Sequence, residues 1–260
     1  MSGGCREVGQ SGQACPNGAK RSTRQPVQER GERTRRLVLE AAARLIADRG
    51  VSQVSLPMIY REAGVTKGAG QHAFAVKEDL LHAIVWEGFS MDAAQLGTPR
   101  LQAIADAANV LSWLTVFSPV VRAAARIATE QDYPETFGAL WKLYVPVVTD
   151  ILVEAQQEEE LLEYLEDASR GQLEEVAWHL VMTFTGWDRK CRLTVDEMPA
   201  RIASMNRWAY RGIATPAAYE QMNFDVQRGL TLIAESEWAR GYITDVDQAR
   251  AGSMFGGTPA

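Results

Sequence analysis

Three short helical patterns packed into about 45 residues, with a tight turn before the last, constrain this chain more than any other feature. Leu37, Ala41 and Leu45 recur at every fourth position with Val38, Ala42 and Ile46 beside them, which gives one helix a wide apolar stripe. Gly50 supplies its stop. In "VSLPMIYREAGV" Ser55 can cap a second helix, Pro57 suits its first turn and Gly64 ends it. Thr66 then offers a cap for a third, within "VTKGAGQHAF". Helix, helix, tight turn and helix make a helix-turn-helix unit, whose last helix is the one that reads DNA. That third helix is intrinsically weak, because Gly68 and Gly70 each cost roughly 1 kcal/mol relative to alanine.

Charge separates the chain into two parts. Residues 1 to 82 hold 13 Lys and Arg against 8 Asp and Glu, a balance of +5 within a chain of net charge -6, so the remainder is at -11. A basic first third on an acidic body suits a small polyanion-binding unit attached to a domain with another task.

Residues 1 to 28 are rich in Gly, Gln, Ser and Pro without apolar periodicity and read as a disordered tail, with Lys20, Arg21 and Arg24 as a solvated cluster or a phosphate-brushing arm. The helix-turn-helix unit occupies 29–77, a helical body 78–241 and a flexible tail 242–260. Past Lys77 the patterns are helical throughout, among them "KEDLLHAIVWEGF", "QLEEVAWHLVMTFTGWDRK" and "AAYEQMNFDVQRGLTLIAES". Pro99 and Pro119 are each suited to a first helical turn. Alternating strand patterns and fixed-period repeats do not occur, so the fold class is all-α, with about nine or ten helices.

The chain has neither an apolar run of membrane-spanning length nor a signal-peptide core at its start, and the expectation is a cytoplasmic protein without membrane association. Cys5, Cys15 and Cys191 read as unpaired thiols. His72, His82 and His179 do not cluster with them, so no metal or other cofactor is expected. Nucleophile elbow, HExxH and phosphate-loop motifs are missing, which argues against an enzyme. The acidic run Glu158 to Glu160 reads as a solvated helix end.

"EAAARLIADRGVSQVSLPMIYREAGVTKGA" followed by "FAVKEDLL" resembles the N-terminal domain of the tetracycline-repressor (TetR) family of regulators. A narrower resemblance, in "SPVVRAAARIATEQDYPETF", "TDILVEAQQEEELL", "FTG" at 184 to 186 and "RIASMNRWAYRGIATP", is to the γ-butyrolactone autoregulator receptors of actinomycetes, which control antibiotic production. The likeness runs from about Arg33 to Ile233. It implies a homodimeric repressor in which each third helix enters a major groove of double-stranded operator DNA, and a small lactone or furan-like effector in the C-terminal domain spreads the two heads. A pseudo-receptor that answers to an antibiotic or to no ligand shares the same pattern.

The resemblance and the residue chemistry together mark a DNA-binding set. Thr66 begins the reading helix where a phosphate is favoured, and Lys67 can reach a phosphate or the O6/N7 edge of guanine. Gly68 permits close approach of the backbone. Gln71 stands where the family has a tyrosine and can pair with adenine, while His72 can contact a phosphate or a base. Ser55, Lys77, Arg33 and Arg36, with Arg35 beside them, complete the set as phosphate candidates. Gly70, Gln71 and Ala73 replace the family's bulky residues, and Val76 its capping serine. These departures point to a changed operator preference or to weaker binding.

Trp141, Tyr144 and Val148 share one helix face, with Pro146 inside that helix as a source of a kink. Trp178, Met182 and Thr185 share another, and Trp113 and Phe117 end a third helix. Together with Gln131 they are the candidate effector contacts, in an aromatic-lined cavity for a compact, mostly apolar ligand. The family's pocket tryptophan falls on Tyr144 here, whereas its threonine matches Thr185. Arg122 and Arg126 read first as structural ion-pair formers. Segments 172–193 and 216–235 correspond to the helices that pair in the family's dimer, with Val176, Ala177, Leu180, Val181, Phe184, Leu230, Leu232 and Ile233 divided between core and interface.

Overall fold

The computed structural model describes residues 24–89, 99–130 and 139–236. Among them are twelve α-helices and no strand. The first four are α1 (Arg24–Arg49), α2 (Leu56–Glu62), α3 (Lys67–Ala73) and α4 (Lys77–Phe89). The body follows as α5 (Arg100–Phe117), α6 (Pro119–Thr129), α7 (Ala139–Gln157), α8 (Glu163–Glu166) and α9 (Arg170–Lys190). Two 3-10 turns, Cys191–Leu193 and Val195–Glu197, lead to α10 (Met198–Arg211), α11 (Pro216–Gln221) and α12 (Arg228–Glu235).

Local sequence explains most boundaries. Gly50 ends α1 at φ +88°, a left-handed value that costs any other residue strain. Thr66 caps α3 by accepting from Ala69 N at 3.3 Å, and Ser118 caps α6 by accepting from Val121 N at 3.3 Å. Pro119 opens α6, whereas Pro99 stands one residue outside α5 as its cap. The α5–α6 pair is bent by 109° at this junction, and no single described helix is long and apolar enough to cross a membrane.

Three expectations are corrected. Helix α1 begins at Arg24, so residues 24 to 28 belong to it and not to the tail. Residues 217 to 236 are not one helix: Asn223 and Asp225 accept with their side chains from the N–H groups of Asp225 and Gln227, both at 2.8 Å. Such local bonds compete with the helical ladder and separate α11 from α12. Glu160 is buried rather than solvated, and its carboxylate accepts from Arg100 N at 2.6 Å and Leu101 N at 3.0 Å. It thus caps α5, a helix whose own cap, Pro99, has no side-chain acceptor.

One apolar cluster runs from Val38, Ala42 and Ile46 of α1 through Ile59, Leu80 and Ile84 into Val121 and Ile127 of α6. A second joins α5, α7, α9, α10 and α11 around Leu101, Leu152, Leu173 and Tyr210. The helix-turn-helix unit therefore shares its core with α6, and a shift of α6 has to be felt by α1.

Candidate functional site

Helix α3 presents one side to solvent and is held from behind. Lys67, Gly68, Gln71 and His72 are exposed, as are Thr66, Ser55, Arg33, Arg35 and Arg36, while Gly70 and Phe74 are buried. The ring of Tyr60 lies across Gly70, where an added Cβ would stand 2.6 Å from Tyr60 Cγ. Tyr60 is fixed in place because its hydroxyl donates to Phe74 O at 2.6 Å. The Arg35 guanidinium stacks 4.1 Å over Phe74 and donates to Ala73 O at 3.4 Å. Gly70 is thus a packing residue, a correction to its reading as a mark of operator preference. Gly68 has nothing within 4 Å of an added Cβ, so its own chain places no demand on it.

Two candidates from the sequence have other work within the chain. Lys77 is half-buried and its ammonium donates to Val51 O at 2.6 Å. Burial lowers its pKa from the usual lysine value, with Glu78 and Glu130 opposing the shift. That bond engages the ammonium within the chain, which weighs against its reading as a phosphate contact. Ser55 occupies the N-cap position of α2 without a side-chain capping bond. Arg36 pairs with Glu40 at 3.6 Å in the open, a contact of about 0–1 kcal/mol.

The turn after α1 is gripped by α6. Glu130 accepts from Val51 N at 2.9 Å and from Arg126 Nε at 2.9 Å, while Arg126 Nη1 donates to Ala47 O at 2.9 Å. With Lys77 on its carbonyl, the Val51 peptide is held at both ends. Gly50 admits this clasp, since a Cβ there would lie 2.7 Å from Glu130 Oε1 and 2.8 Å from Arg126 Nη2. Arg126 matches its reading as an ion-pair former, but its partner Glu130 was not foreseen.

Among the described residues, the expected effector contacts are spread over separate packing environments. Trp113 is buried and stacks on Phe117 at 5.7 Å, with its Nε1 donating to Val226 O at 2.8 Å. These contacts tie α5 to the segment before α12 and occupy the indole's polar atom. Tyr144 is half-buried against the first cluster, and Val148 is part of the second. Helix α7 runs unbroken through Pro146. Trp178 and Met182 are 36% and 48% exposed on the outer side of α9, because Leu173 and Ala177 take its inner side. Gln131 and the side chain of Trp141 lie outside the described residues.

Among the described residues, two cavities lie where α5, α6 and the end of α9 meet. A narrow crevice of about 20 Å³ is lined by Thr115, Arg122, Arg126, Asp188, Cys191 and Arg192. A neighbouring hollow of about 10 Å³ shares Thr115 and Asp188 and adds Leu111, Ala125, Phe184 and Thr185. Of the expected effector contacts among the described residues, Thr185 lines this hollow; its hydroxyl donates to Val181 O at 2.9 Å. Asp188 is 7% exposed and its pKa is pushed up to about 6 by burial, with Arg192 opposing the shift. Arg192 Nη2 donates to Thr129 Oγ1. Arg122 Nη1 donates to Thr115 O at 2.9 Å and Val116 O at 2.7 Å, closing the end of α5. The i, i+4 spacing of Asp188 and Arg192 was the available sequence signal for this cluster.

The outer surface carries a second apolar feature. Trp178, Met182, Leu193 and Trp208 are exposed on α9, the turn after it and α10. Leu230 and Ile233, expected near a dimer interface, are 1% and 0% exposed in the first core cluster and are unavailable to a partner.

Residues 38–84 match the family model for bacterial regulatory proteins of the tetR family. The chain is 34% identical over 104 residues to the A-factor receptor protein of Streptomyces griseus, a stretch covering 40% of this chain and 37% of that protein. It is therefore aligned with less than half of that relative's length. Solved structures cover more. A γ-butyrolactone receptor (ArpA-like protein) superposes with TM-score 0.63 at 29% identity, over 80% of this chain and 100% of the other. The TetR family protein CprB of Streptomyces coelicolor, in complex with its operator sequence, does so with TM-score 0.62 at 28% identity, again over 80% and 100%. The helix-turn-helix match and the structural likeness agree: residues 38–84 carry a DNA-binding domain of the tetR family of regulatory proteins, and the chain is similar over about four fifths of its length to γ-butyrolactone receptors.

Proposed function

We propose that the chain is a ligand-responsive transcriptional repressor that binds a pseudo-palindromic operator as a homodimer. A small signalling molecule, a γ-butyrolactone or a related autoregulator, releases it from DNA and so switches on antibiotic or other secondary-metabolite genes. Residues 24–77 form the DNA-binding part and 78–241 the effector and dimerisation part of a cytoplasmic protein that is not an enzyme. The observation that carries this reading is the exposed row Lys67, Gly68, Gln71 and His72, backed by Tyr60 and Arg35 so that it meets DNA as a rigid edge. Thr66, Arg33 and Arg36 flank that row as phosphate contacts. Dimerisation uses the outer faces of α9 and α10, where Trp178, Met182 and Trp208 are exposed. Effector binding moves α6, and the Arg126–Glu130 clasp passes the movement to α1.

A second reading, a receptor for something other than a butyrolactone, is favoured by one observation. The crevice between α6 and the end of α9 is lined by arginines and Asp188, and none of the predicted tryptophans lines it or the hollow beside it. Gel shifts on the protein's own promoter region, with and without an extract of the producing organism, separate the two. Release by a purified butyrolactone supports the first; release by the extract alone supports the second. No shift at any salt concentration overturns both.

A further inference from the structure

Half of α1 is held by the fold and half is not. The helix spans 26 residues, Arg24–Arg49, but those that enter the first apolar cluster begin at Val38. The stretch before it, residues 24–36, is about 20 Å of helix at 1.5 Å per residue. Every residue from Gln28 to Arg36 is exposed except Thr34, which is half-buried. A helix this short without packing is marginal in water, and Gly31, with nothing within 4 Å of an added Cβ, weakens it further. A partner that binds the helical form therefore stabilises it. The composition says which partner. Residues 24–36 hold Arg24, Arg30, Arg33, Arg35 and Arg36 against Glu29 and Glu32, a balance of +3, with Pro26 and Val27 as the apolar residues. A protein finds little there to bury, whereas a polyanion finds an excess of positive charge. Glu32 accepts from Gln28 Nε2 at 3.3 Å and Glu40 pairs with Arg36, but Arg30 and Arg33 form no ion pair among the described residues. Arg30, Arg33 and Arg36 recur at every third position, which makes them neighbours along the helix surface. The stretch is also continuous with the reading helix, because Arg35 stacks over Phe74 and donates to Ala73 O at the C-terminal end of α3.

We propose that residues 24–36 of α1 are a second DNA-binding element, an arm that lies along the phosphate backbone of duplex DNA beside the groove entered by α3. Arg30 and Arg33 carry the contact. Arg35 is a positioning residue that keeps the arm and the reading helix in one orientation. Phosphates carry no sequence, so the arm adds affinity equally on any duplex and leaves discrimination to α3. This rests on the reading of α3 as the helix that meets DNA and adds a contact beside it.

Gly31 gives the test its leverage, because a side chain there meets no neighbour: Gly31→Ala strengthens the helix of the arm and Gly31→Pro breaks it, both outside the core. The native full-length protein, these two variants and the double variant Arg30→Gln with Arg33→Gln are titrated by fluorescence anisotropy over a range of salt. The duplexes are the protein's own promoter fragment and a scrambled duplex of the same length. Gly31→Ala should bind about threefold tighter and Gly31→Pro about tenfold weaker. The double variant should lower the salt slope by about 2. Each effect should be the same on both duplexes, and unchanged melting temperatures certify the fold. Native affinity and slope in all three variants overturn the proposal, as does a loss confined to the promoter fragment. A preference for the promoter fragment that persists in those cases leaves the reading of α3 standing. Equal native binding to both duplexes, with the variants shifted as expected, counts against that reading alone, and no DNA binding by the native chain overturns both.

Discussion

Gly68 and Gly70 stand two positions apart in one helix, and alanine at each should act in opposite directions. At Gly68 the methyl enters open space, so the gain is that of helix propensity, roughly 0.5–1 kcal/mol of added stability. At Gly70 the methyl meets the Tyr60 ring, with Cγ at 2.6 Å and Cε1 at 2.8 Å, well inside van der Waals contact. Overpacking of this kind costs about 1–3 kcal/mol. Tyr60 cannot yield cheaply, since moving it breaks its bond to Phe74 O, worth about 1 kcal/mol. After the propensity gain, Gly70→Ala should destabilise by about 1–3 kcal/mol. Urea denaturation of both variants measures the difference directly. DNA affinity should sort the other way for Gly68→Ala, which is more stable yet binds operator more weakly because the methyl stands between backbone and groove. A Gly70→Ala variant as stable as the native chain would refute the packing argument and return that glycine to operator recognition.

Other consequences follow from the same geometry. Replacing Lys77 with Gln should lower stability by about 1–2 kcal/mol through loss of the bond to Val51 O, with the salt slope of DNA binding unchanged, whereas Lys67→Ala should reduce that slope by about 1 in anisotropy titrations. Glu130→Ala strips the buried Val51 N–H and Arg126 of their acceptor and should cost about 2–4 kcal/mol in chemical denaturation. In the same variant, effector-induced release from DNA should weaken because α6 no longer grips α1. Asp188 carries a pKa near 6 when folded against an ordinary 3.8, so the native state holds the proton more tightly than the unfolded chain. Stability should therefore decline as pH rises from about 4 to 6 and stay lower above that, and Asp188→Asn should be more stable than the native chain at pH 7.5 by about 2–3 kcal/mol. Melting curves at pH 4.5 and 7.5 check the sign; a native chain that gains stability across that interval relative to Asp188→Asn contradicts it.

What the sequence disclosed was whatever is local. The stripe on α1, the stop at Gly50 and the cap at Thr66 depend on neighbours in the chain, and each is found in the structure. What it withheld was decided across distance. Gly70 faces Tyr60, ten positions earlier, and nothing in "KGAGQHA" announces that ring. Lys77 reaches Val51 and Glu130 reaches the same peptide from another helix, so both side chains are taken up by the junction. Aromatic residues at helical spacing do mark a face, but not what the face meets: Trp113 is fixed within the core while Trp178 points outward. Glu160 shows the limit most plainly, since a carboxylate in an acidic run turned out to cap a helix that begins sixty positions earlier in the chain.

The central claim is that α3 reads DNA through its exposed row. Anisotropy titration of the full-length protein against its own promoter fragment, and against that fragment with each half-site base pair changed in turn, tests it most directly. Binding should be saturable and fall steeply with salt, and the loss in Gln71→Ala should be confined to one base pair per half-site. Uniform loss over all variants would contradict base reading by Gln71, and no binding at any salt concentration would contradict the account as a whole.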